Sequence, residues 1–338
     1  MLTTAHRRRL VRVGAAVAAS AFVLTACGTA AETSADTPTA QVTVPGAYGE
    51  VTVPVTDQRV WALDPSTATE LLMIGVRPTH SGRFTHQGDA AFEARHDLLA
   101  RESVALVEPD KLELVVQARP VLIVGAQSPS SDELMAELKK IAPVFVVKGS
   151  ATWKETLIQL GQVTGRDRQA AAIVAHLDQR TTAVRASLNK AGLTGESVSL
   201  MSACGAGSFC AYGSGRAAGP LLTELGLTRP AAHGQDKSDT EYGYTMVSEE
   251  KVGELVAPIV FVLTGSVQHG APNPLDNPLF KLGDAKVAEV DFGAWFGAAS
   301  FDVPWILADI RAVLLDDGEI TGREAGPALF DALRKAAG

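Results

Sequence analysis

The sequence has few aromatic residues, few cysteines and no excess of positive charge, and each shortage excludes a class of protein. Aromatic residues make up 6% of the 338 residues and only three cysteines occur, so neither a disulfide-rich scaffold nor a collagen-like fibre fits. The apolar fraction of 46% is ordinary for folded domains, and the length allows about two of them. The net charge is −8, and it is −12 without the first 26 residues, which contain four arginines and no acid. This balance opposes binding to a phosphate backbone, so we expect no nucleic-acid partner.

The N-terminal region has the pattern of a secretion signal. A basic block from His6 to Arg12 precedes an apolar run from Val13 to Leu24, which is shorter than the roughly 20 residues of a membrane-spanning helix. The run ends at Leu24-Thr25-Ala26-Cys27, which resembles the lipobox of bacterial lipoproteins. This resemblance implies cleavage before Cys27, lipidation of its thiol and anchoring of the mature chain outside the cytoplasm. The adjacent arginines leave both general secretion and twin-arginine export open.

From Val51 onwards, short apolar runs alternate with amphipathic stretches, which is typical of α/β domains. Arg59 to Leu63 predicts a strand, and the Asp64-Pro65 pair after it predicts the start of a helix. Apolar residues at helical spacing from Asp167 predict a helix of about 24 residues and ~36 Å. Strands and helices then resume in a similar order, so we predict two α/β lobes with a long helix between them.

We divide the chain at changes of composition. Gly28 to Gly49 is rich in Thr, Ala, Pro and Ser without periodicity, which predicts a flexible tether. The predicted segments are a signal peptide (1–26), the lipidated cysteine and tether (27–50), a first lobe (51–149), a connecting helical segment (150–192) and a second lobe with terminal helices (193–338).

The other two cysteines, Cys204 and Cys210, are six positions apart in a chain that we expect to be exported. A disulfide closing one local loop is the first interpretation. Free thiols or a metal site remain alternatives, although a four-ligand metal site would need distant histidines or carboxylates.

Motifs of the common catalytic sites are missing. The sequence has no Gly-x-Ser-x-Gly elbow, no Walker loop and no Gly-x-Gly-x-x-Gly after a strand. The glycine-rich stretches Gly205 to Ser208 and Gly213 to Gly215 lack the strand, turn and helix that such motifs need. We therefore predict no enzyme and no catalytic residue. A surface hydrolase and a surface adhesin are the alternatives from other functional classes.

Several segments resemble the long-helix type of extracytoplasmic substrate-binding proteins, which deliver ferric siderophores, haem or cobalamin to ABC importers. The resemblance covers nearly all of Arg59 to Leu333. It implies two doubly wound α/β lobes joined by a single long α-helix, with the ligand in a cleft between the lobes and no resident cofactor. We expect a monomer, because the sequence has no heptad seam and no obvious self-complementary patch. A ligand cleft of this kind is also expected on general grounds, because α/β sheets bind ligands at the carboxyl ends of their strands. The segments that carry it are Arg59 to Leu72, Gly219 to Leu227, Val247 to Glu250 and Asp291 to Gly297.

The same resemblance implies that one acid on each lobe contacts arginines of a membrane permease. The matching positions are Glu113 and Glu250, with Glu249 as the rival of Glu250. A ferric siderophore is the first candidate for the cargo, and haem or cobalamin is the alternative within the same class of transporter.

Siderophore complexes are rich in oxygen, so arginine and aromatic side chains in loops are the candidates for ligand contacts. An alternative for each aromatic residue is packing in the core. His80, His86 and His96 lack metal-ligand spacing, so no bare-metal site is expected, whereas His233 and His269 are candidates for contact with iron or haem. The predicted ligand contacts are Arg83, Phe84, Tyr212, Arg216, Tyr242, Trp295 and Phe296.

Overall fold

The computed structural model describes residues 40–83, 88–108, 111–127, 132–205, 207–233, 244–265 and 273–338. All of them belong to one compact unit, which extends from Thr39 to Gly338. Within these ranges, no helix is both long enough and apolar enough to cross a bilayer.

The first lobe is a parallel sheet covered by helices, preceded by a β hairpin. The sheet has the strand order β5-β4-β3-β6-β7, and all its neighbouring strands are parallel. The chain therefore winds in one direction from β3 and then in the other, which confirms the doubly wound prediction for this lobe. Its elements are β1 (Gln41–Gly46), β2 (Gly49–Pro54), β3 (Val60–Ala62), α1 (Pro65–Met73), β4 (His80–Gly82), α2 (Ala90–Arg101), β5 (Ala105–Val107), α3 (Leu112–Ala118), β6 (Leu122–Ala126), α4 (Asp132–Ile141) and β7 (Val144–Val147).

The start of α1 shows how the sequence positions the edge of this sheet. The Asp64 carboxylate accepts a hydrogen bond from the backbone N–H of Thr67 at 2.8 Å, and Pro65 occupies the first turn. The same carboxylate accepts a bond from the backbone N–H of Ala126 at the end of β6, at 3.1 Å. One side chain therefore caps the helix and joins two strand ends.

The hairpin corrects part of the predicted tether. Residues 41–50 lie in β1, the turn and β2, where Val44 and Val53 are buried in the core of the first lobe. The turn is held to the sheet because the N–H of Ala47 donates to the carbonyl of Val146 at 2.8 Å. The alternating valines at positions 42, 44, 51 and 53 carry this strand signal, which the small polar residues between them obscured.

Two helices connect the lobes, α5 (Trp153–Thr164) and α6 (Asp167–Lys190). Thr152 and Glu155 form a capping box at the start of α5, and Gly165 ends that helix with a φ of +67°, in the left-handed region that favours glycine. The 24 residues of α6 bury the apolar residues that predicted it, among them Ile173, Leu177 and Leu188.

The second lobe has a mixed sheet with the strand order β10-β9-β8-β11-β12. Strands β8, β11 and β12 are mutually parallel, whereas β9 runs antiparallel to both β8 and β10. The structure has a disulfide between Cys204 and Cys210, which closes the turn from β8 to β9. The elements are β8 (Val198–Ala203), β9 (Ser208–Tyr212), α7 (Gly219–Glu224), β10 (Tyr244–Ser248), β11 (Ile259–Thr264), β12 (Lys286–Asp291), α8 (Phe292–Gly297), α9 (Val303–Leu315) and α10 (Gly326–Ala337).

Buried polar contacts join the two lobes along α2. The backbone N–H groups of Ala90 and Ala91 donate to the Asp291 carboxylate at 2.6 and 3.2 Å. One turn further along α2, the Arg95 guanidinium forms an ion pair with Asp302 at 2.5 Å, and both side chains are fully buried. Because these contacts lie between elements of different lobes, they set how far apart the two lobes are held.

Candidate functional site

A cleft of about 460 Å³ lies between the two lobes. The first lobe lines it with residues that follow the carboxyl ends of its parallel strands: Asp64 after β3, Arg83 after β4, Glu108 after β5 and Lys148 after β7. Residues of the second lobe, including Arg216, line the opposite side. The cleft thus lies where the geometry of parallel sheets places ligands.

Aromatic side chains form much of the cleft wall. The Trp61 ring stacks on His80 with ring centroids 4.5 Å apart, which orients the indole at the end of β3. On the opposite lobe, Phe296 stacks on Phe292 at 4.7 Å within α8. Flat aromatic faces of this kind pack against organic ligands without needing hydrogen bonds. The aromatic residues of the lining are Tyr48, Trp61, Phe92, Trp153 and Phe296.

Arg216 is held in place by aromatic rings. Its guanidinium carbon lies 4.7 Å from the centroid of the Phe296 ring, and Phe296 meets Tyr212 edge-on at 5.7 Å. Burial lowers the pKa of Arg216, with an opposing contribution from Tyr212. Its buried Nε has no hydrogen-bond partner among the described residues. A stacked guanidinium with an unsatisfied donor is well placed to bind an oxygen of a ligand.

Arg83 lies on the first-lobe side of the cleft, where its side chain is about half exposed and is paired with an acid. Its Nε lies 3.7 Å from a carboxylate oxygen of Glu108, and about half of each side chain is exposed. The backbone N–H of Arg83 donates to the carbonyl of Val107 at 2.9 Å, which fixes the start of its loop. The charge of Arg83 is therefore shared with a neighbouring acid before any ligand arrives.

Glu70 is a buried carboxylic acid within the cleft wall. It accepts hydrogen bonds from the backbone N–H and the hydroxyl of Ser300, at 3.0 and 2.6 Å. Burial raises the pKa of Glu70 from 4.5 to about 7, although the bonds from Ser300 act in the opposite direction. Since α1 carries Glu70 and the second lobe carries Ser300, this contact also joins the lobes.

The sequence pattern of the periplasmic binding protein family matches residues 98–269, which is about half of the chain. The chain belongs to this family. Its members are binding proteins rather than enzymes and act outside the cytoplasm. A ligand is the cargo of such a protein, and no resident cofactor is needed to hold it.

Solved structures share the fold of this binding protein. The FhuD protein from S. pseudintermedius superposes with a TM-score of 0.66 at 18% identity, over 82% of this chain and 99% of that one. A periplasmic solute binding protein from Mycobacterium smegmatis gives 0.63 at 20% identity, over 82% and 98%. The periplasmic catecholate-siderophore binding protein VctP from Vibrio cholerae gives 0.62 at 20% identity, over 81% and 100%. No curated protein sequence matches the chain.

The structure places three of the predicted ligand contacts, Arg83, Arg216 and Phe296, together in the cleft of this binding protein. Two others, Phe84 and Tyr242, lie outside the described residues, as do Cys27, His86 and His269.

Trp295 and Tyr212 lie in the core of the second lobe and do not line the cleft, in contrast to our expectation. Trp295 is fully buried, stacks on Phe261 at 4.6 Å and donates its indole N–H to Asp309 at 2.8 Å. The Tyr212 hydroxyl and the Ser202 hydroxyl share a hydrogen bond of 2.8 Å, and burial raises the pKa of Tyr212 to about 12. Trp295 lies in α8, which directs the indole inward.

The acids predicted to contact the permease occupy equivalent places in the two lobes. Glu113 is exposed in the first turn of α3, directly after the edge strand β5. Glu250 is exposed at the start of a 3₁₀ helix over Glu249–Leu255, directly after the edge strand β10. Glu249 accepts a hydrogen bond from the Asn277 amide at 2.6 Å, which leaves Glu250 as the more available of the two.

The described part of the chain contains no group of three or more His, Cys, Asp and Glu side chains that could hold a metal ion. His233 is fully buried, and its Nε2 forms a 2.8 Å hydrogen bond with the Leu255 carbonyl. His233 is therefore a core residue of the second lobe and is not among the residues that line the cleft.

Several cleft residues were not predicted as ligand contacts from the sequence, among them Tyr48, Trp61, Trp153 and Lys148. Trp61 and Lys148 carried a usable signal, because each lies in or directly after a buried strand at the edge where ligands bind. Tyr48 and Trp153 carried none, since a hairpin turn and a helix start reach the cleft only through tertiary packing.

Proposed function

We propose that this periplasmic binding protein captures a ferric siderophore and delivers it to the permease of an ABC importer, while lipidated Cys27 anchors it to the cell membrane. The observation that carries the proposal is the cleft itself, with aromatic walls and one arginine from each lobe, Arg83 and Arg216. Iron–siderophore complexes present oxygen atoms around the metal and organic chains outside it. Guanidinium groups bind the former and aromatic faces the latter.

Delivery is supported by the positions of Glu113 and Glu250. Each follows the edge strand of its sheet, and each stands exposed at the carboxyl end of that sheet. A permease surface with paired basic side chains would be attracted to two such acids at once. Attachment through Cys27 would keep the protein near that permease.

A titration followed by tryptophan fluorescence tests the capture of a siderophore. The chain is titrated with ferric complexes of hydroxamate, catecholate and citrate type. Trp61 and Trp153 line the cleft, so a bound ferric complex should quench their emission in a saturable way. Arg216→Ala should weaken binding by at least about tenfold, because a buried charged hydrogen bond contributes roughly 1.5–3 kcal/mol.

Matched variants make this test specific. Arg185→Ala removes an exposed arginine of α6 and should leave affinity unchanged. Trp295→Phe should leave the quenching unchanged, because Trp295 lies in the core. Absence of quenching by every iron complex would contradict the proposal, and saturable uptake of haem or cobalamin, detected by absorbance, would favour the alternative cargo.

A further inference from the structure

We infer that the cargo is a ferric chelate with little or no net charge, of the tris-hydroxamate class, rather than a highly anionic tris-catecholate. This inference rests on the proposed capture of a siderophore and adds the chemical class of the ligand. It depends on the balance of acidic and basic side chains around the cleft and on the contacts that these side chains already make.

The cleft lining contains as many acidic as basic side chains. The basic ones are Arg83, Lys148 and Arg216, and the acidic ones are Asp64, Glu70 and Glu108. Basic and acidic residues face the ligand space together, so the lining as a whole does not form a strongly positive field.

The three basic residues also differ in how much charge they can offer a ligand. Glu108 is 3.7 Å from Arg83 and reduces the charge that Arg83 can offer. Lys148 is exposed at the rim, where water screens it. Arg216 alone combines partial burial, a stacked aromatic partner and a buried donor that is unpartnered among the described residues. One guanidinium is therefore the main polar contact that the described cleft offers.

The two classes of chelate differ in net charge for a simple reason. Three hydroxamates carry one negative charge each and cancel the charge of Fe³⁺, whereas three catecholates carry two each and leave the complex with a net charge of −3. An uncompensated charge inside a cleft of low dielectric costs free energy, and Asp64 and Glu108 would each repel it. A neutral chelate avoids this cost. Its polarised oxygens still accept bonds from Arg216, and its hydrocarbon chains still pack on the aromatic wall.

The test compares two probes on the purified full chain: ferrichrome, a neutral tris-hydroxamate, and ferric enterobactin, a tris-catecholate of charge −3. We expect the dissociation constant, measured by tryptophan quenching, to be at least about tenfold lower for ferrichrome. We also expect ferrichrome affinity to change less than about twofold between roughly 0.05 and 0.5 M NaCl, since salt screens interactions between charges.

A variant tests the electrostatic cause. Glu108→Gln removes the partner of Arg83 and should raise affinity for ferric enterobactin by roughly two- to fivefold, a larger increase than for ferrichrome. Glu108 is 53% exposed, so the substitution leaves the fold intact. The matched control is Glu319→Gln, which removes an exposed acid that does not line the cleft.

Two results would overturn the inference, and they differ in their meaning. Equal or tighter binding of ferric enterobactin would reject the hydroxamate class and leave siderophore capture standing. Binding of neither probe, nor of any other ferric complex, would reject the class together with the proposed function.

Discussion

Glu70 is a carboxylic acid buried within the cleft wall and bonded to the other lobe through Ser300. Burial is the main reason that its pKa rises to about 7, and the nearby acids Asp302 and Asp64 raise it further. The folded chain therefore binds a proton at Glu70 more tightly than the unfolded chain does. Between about pH 4.5 and 7 the unfolded chain releases this proton while the folded chain keeps it, so the contribution of Glu70 to stability is lost as the pH rises through that range and is restored in mild acid.

Glu70→Gln should isolate this effect. Glutamine keeps an acceptor for Ser300 but does not titrate, so the variant should gain stability relative to the natural chain as the pH rises from about 4.5 to 7. The gain should reach about 3 kcal/mol, at about 1.4 kcal/mol per pKa unit. Urea unfolding at several pH values measures it.

Asp309, whose pKa is raised to about 6 by burial, is present in both proteins, so its contribution cancels in the comparison. Glu319→Gln serves as the exposed control and should follow the natural chain at every pH. Parallel stability curves for Glu70→Gln and the natural chain would show that Glu70 does not titrate in this range.

At the scale of elements, the hairpin of β1 and β2 extends the first lobe to the rim of the cleft. Its valines are buried against the sheet, whereas Tyr48 in its turn is 44% exposed and lines the cleft. The Tyr48 ring also lies 5.3 Å from the Lys139 ammonium of α4. The hairpin therefore has a structural face and a face for the ligand, which can be altered separately.

Tyr48→Ala should weaken binding of the ferric chelate roughly two- to tenfold, the amount that one aromatic contact contributes. It should leave the free energy of unfolding nearly unchanged because Tyr48 is 44% exposed and lies outside the buried core. Val44→Ala should do the reverse, costing about 2 kcal/mol of stability through a cavity while affinity stays constant. Titration and urea unfolding of both variants measure this, and an unchanged affinity in Tyr48→Ala would remove the hairpin from the binding site.

At the scale of the whole molecule, contacts between the lobes fix the distance between the two proposed permease contacts. The buried pair of Arg95 with Asp302 and the bonds from α2 to Asp291 hold the lobes against each other. Glu113 and Glu250 lie on different lobes, so a permease that engages both would recognise the lobe arrangement as well as each charge.

The double variant Glu113→Gln/Glu250→Gln should reduce uptake of ⁵⁵Fe-labelled chelate at least about tenfold in cells that depend on this chain, because paired charges across an interface act together. Its affinity for the chelate in solution should not change. Glu249→Gln is the matched control and should support normal uptake, since Glu249 is bonded to Asn277. Full uptake by the double variant would refute docking through these acids.

Much of the fold was predictable because it depends on local patterns. Strand β3, the cap at Asp64 and the full length of α6 follow from residues close to one another in the chain. The mixed pairing of the second sheet was not predictable, since a run of apolar residues does not specify the direction of its neighbour. Arg83 and Arg216 lie in loops at strand ends, where chemistry and position agree, whereas Phe296 lies in α8, directly after β12.

By itself, the sequence determined the alternation of strands and helices, the long helix between the lobes and the residue types available to bind a ligand. These features depend on short-range spacing and on composition. Tertiary structure alone decided which side chains face the cleft. Trp295 and Phe296 are adjacent in the chain, yet one is buried against Phe261 while the other supports Arg216. The direction of each side chain depends on how its helix packs and on the opposite lobe. The neighbouring residues in the sequence specify neither.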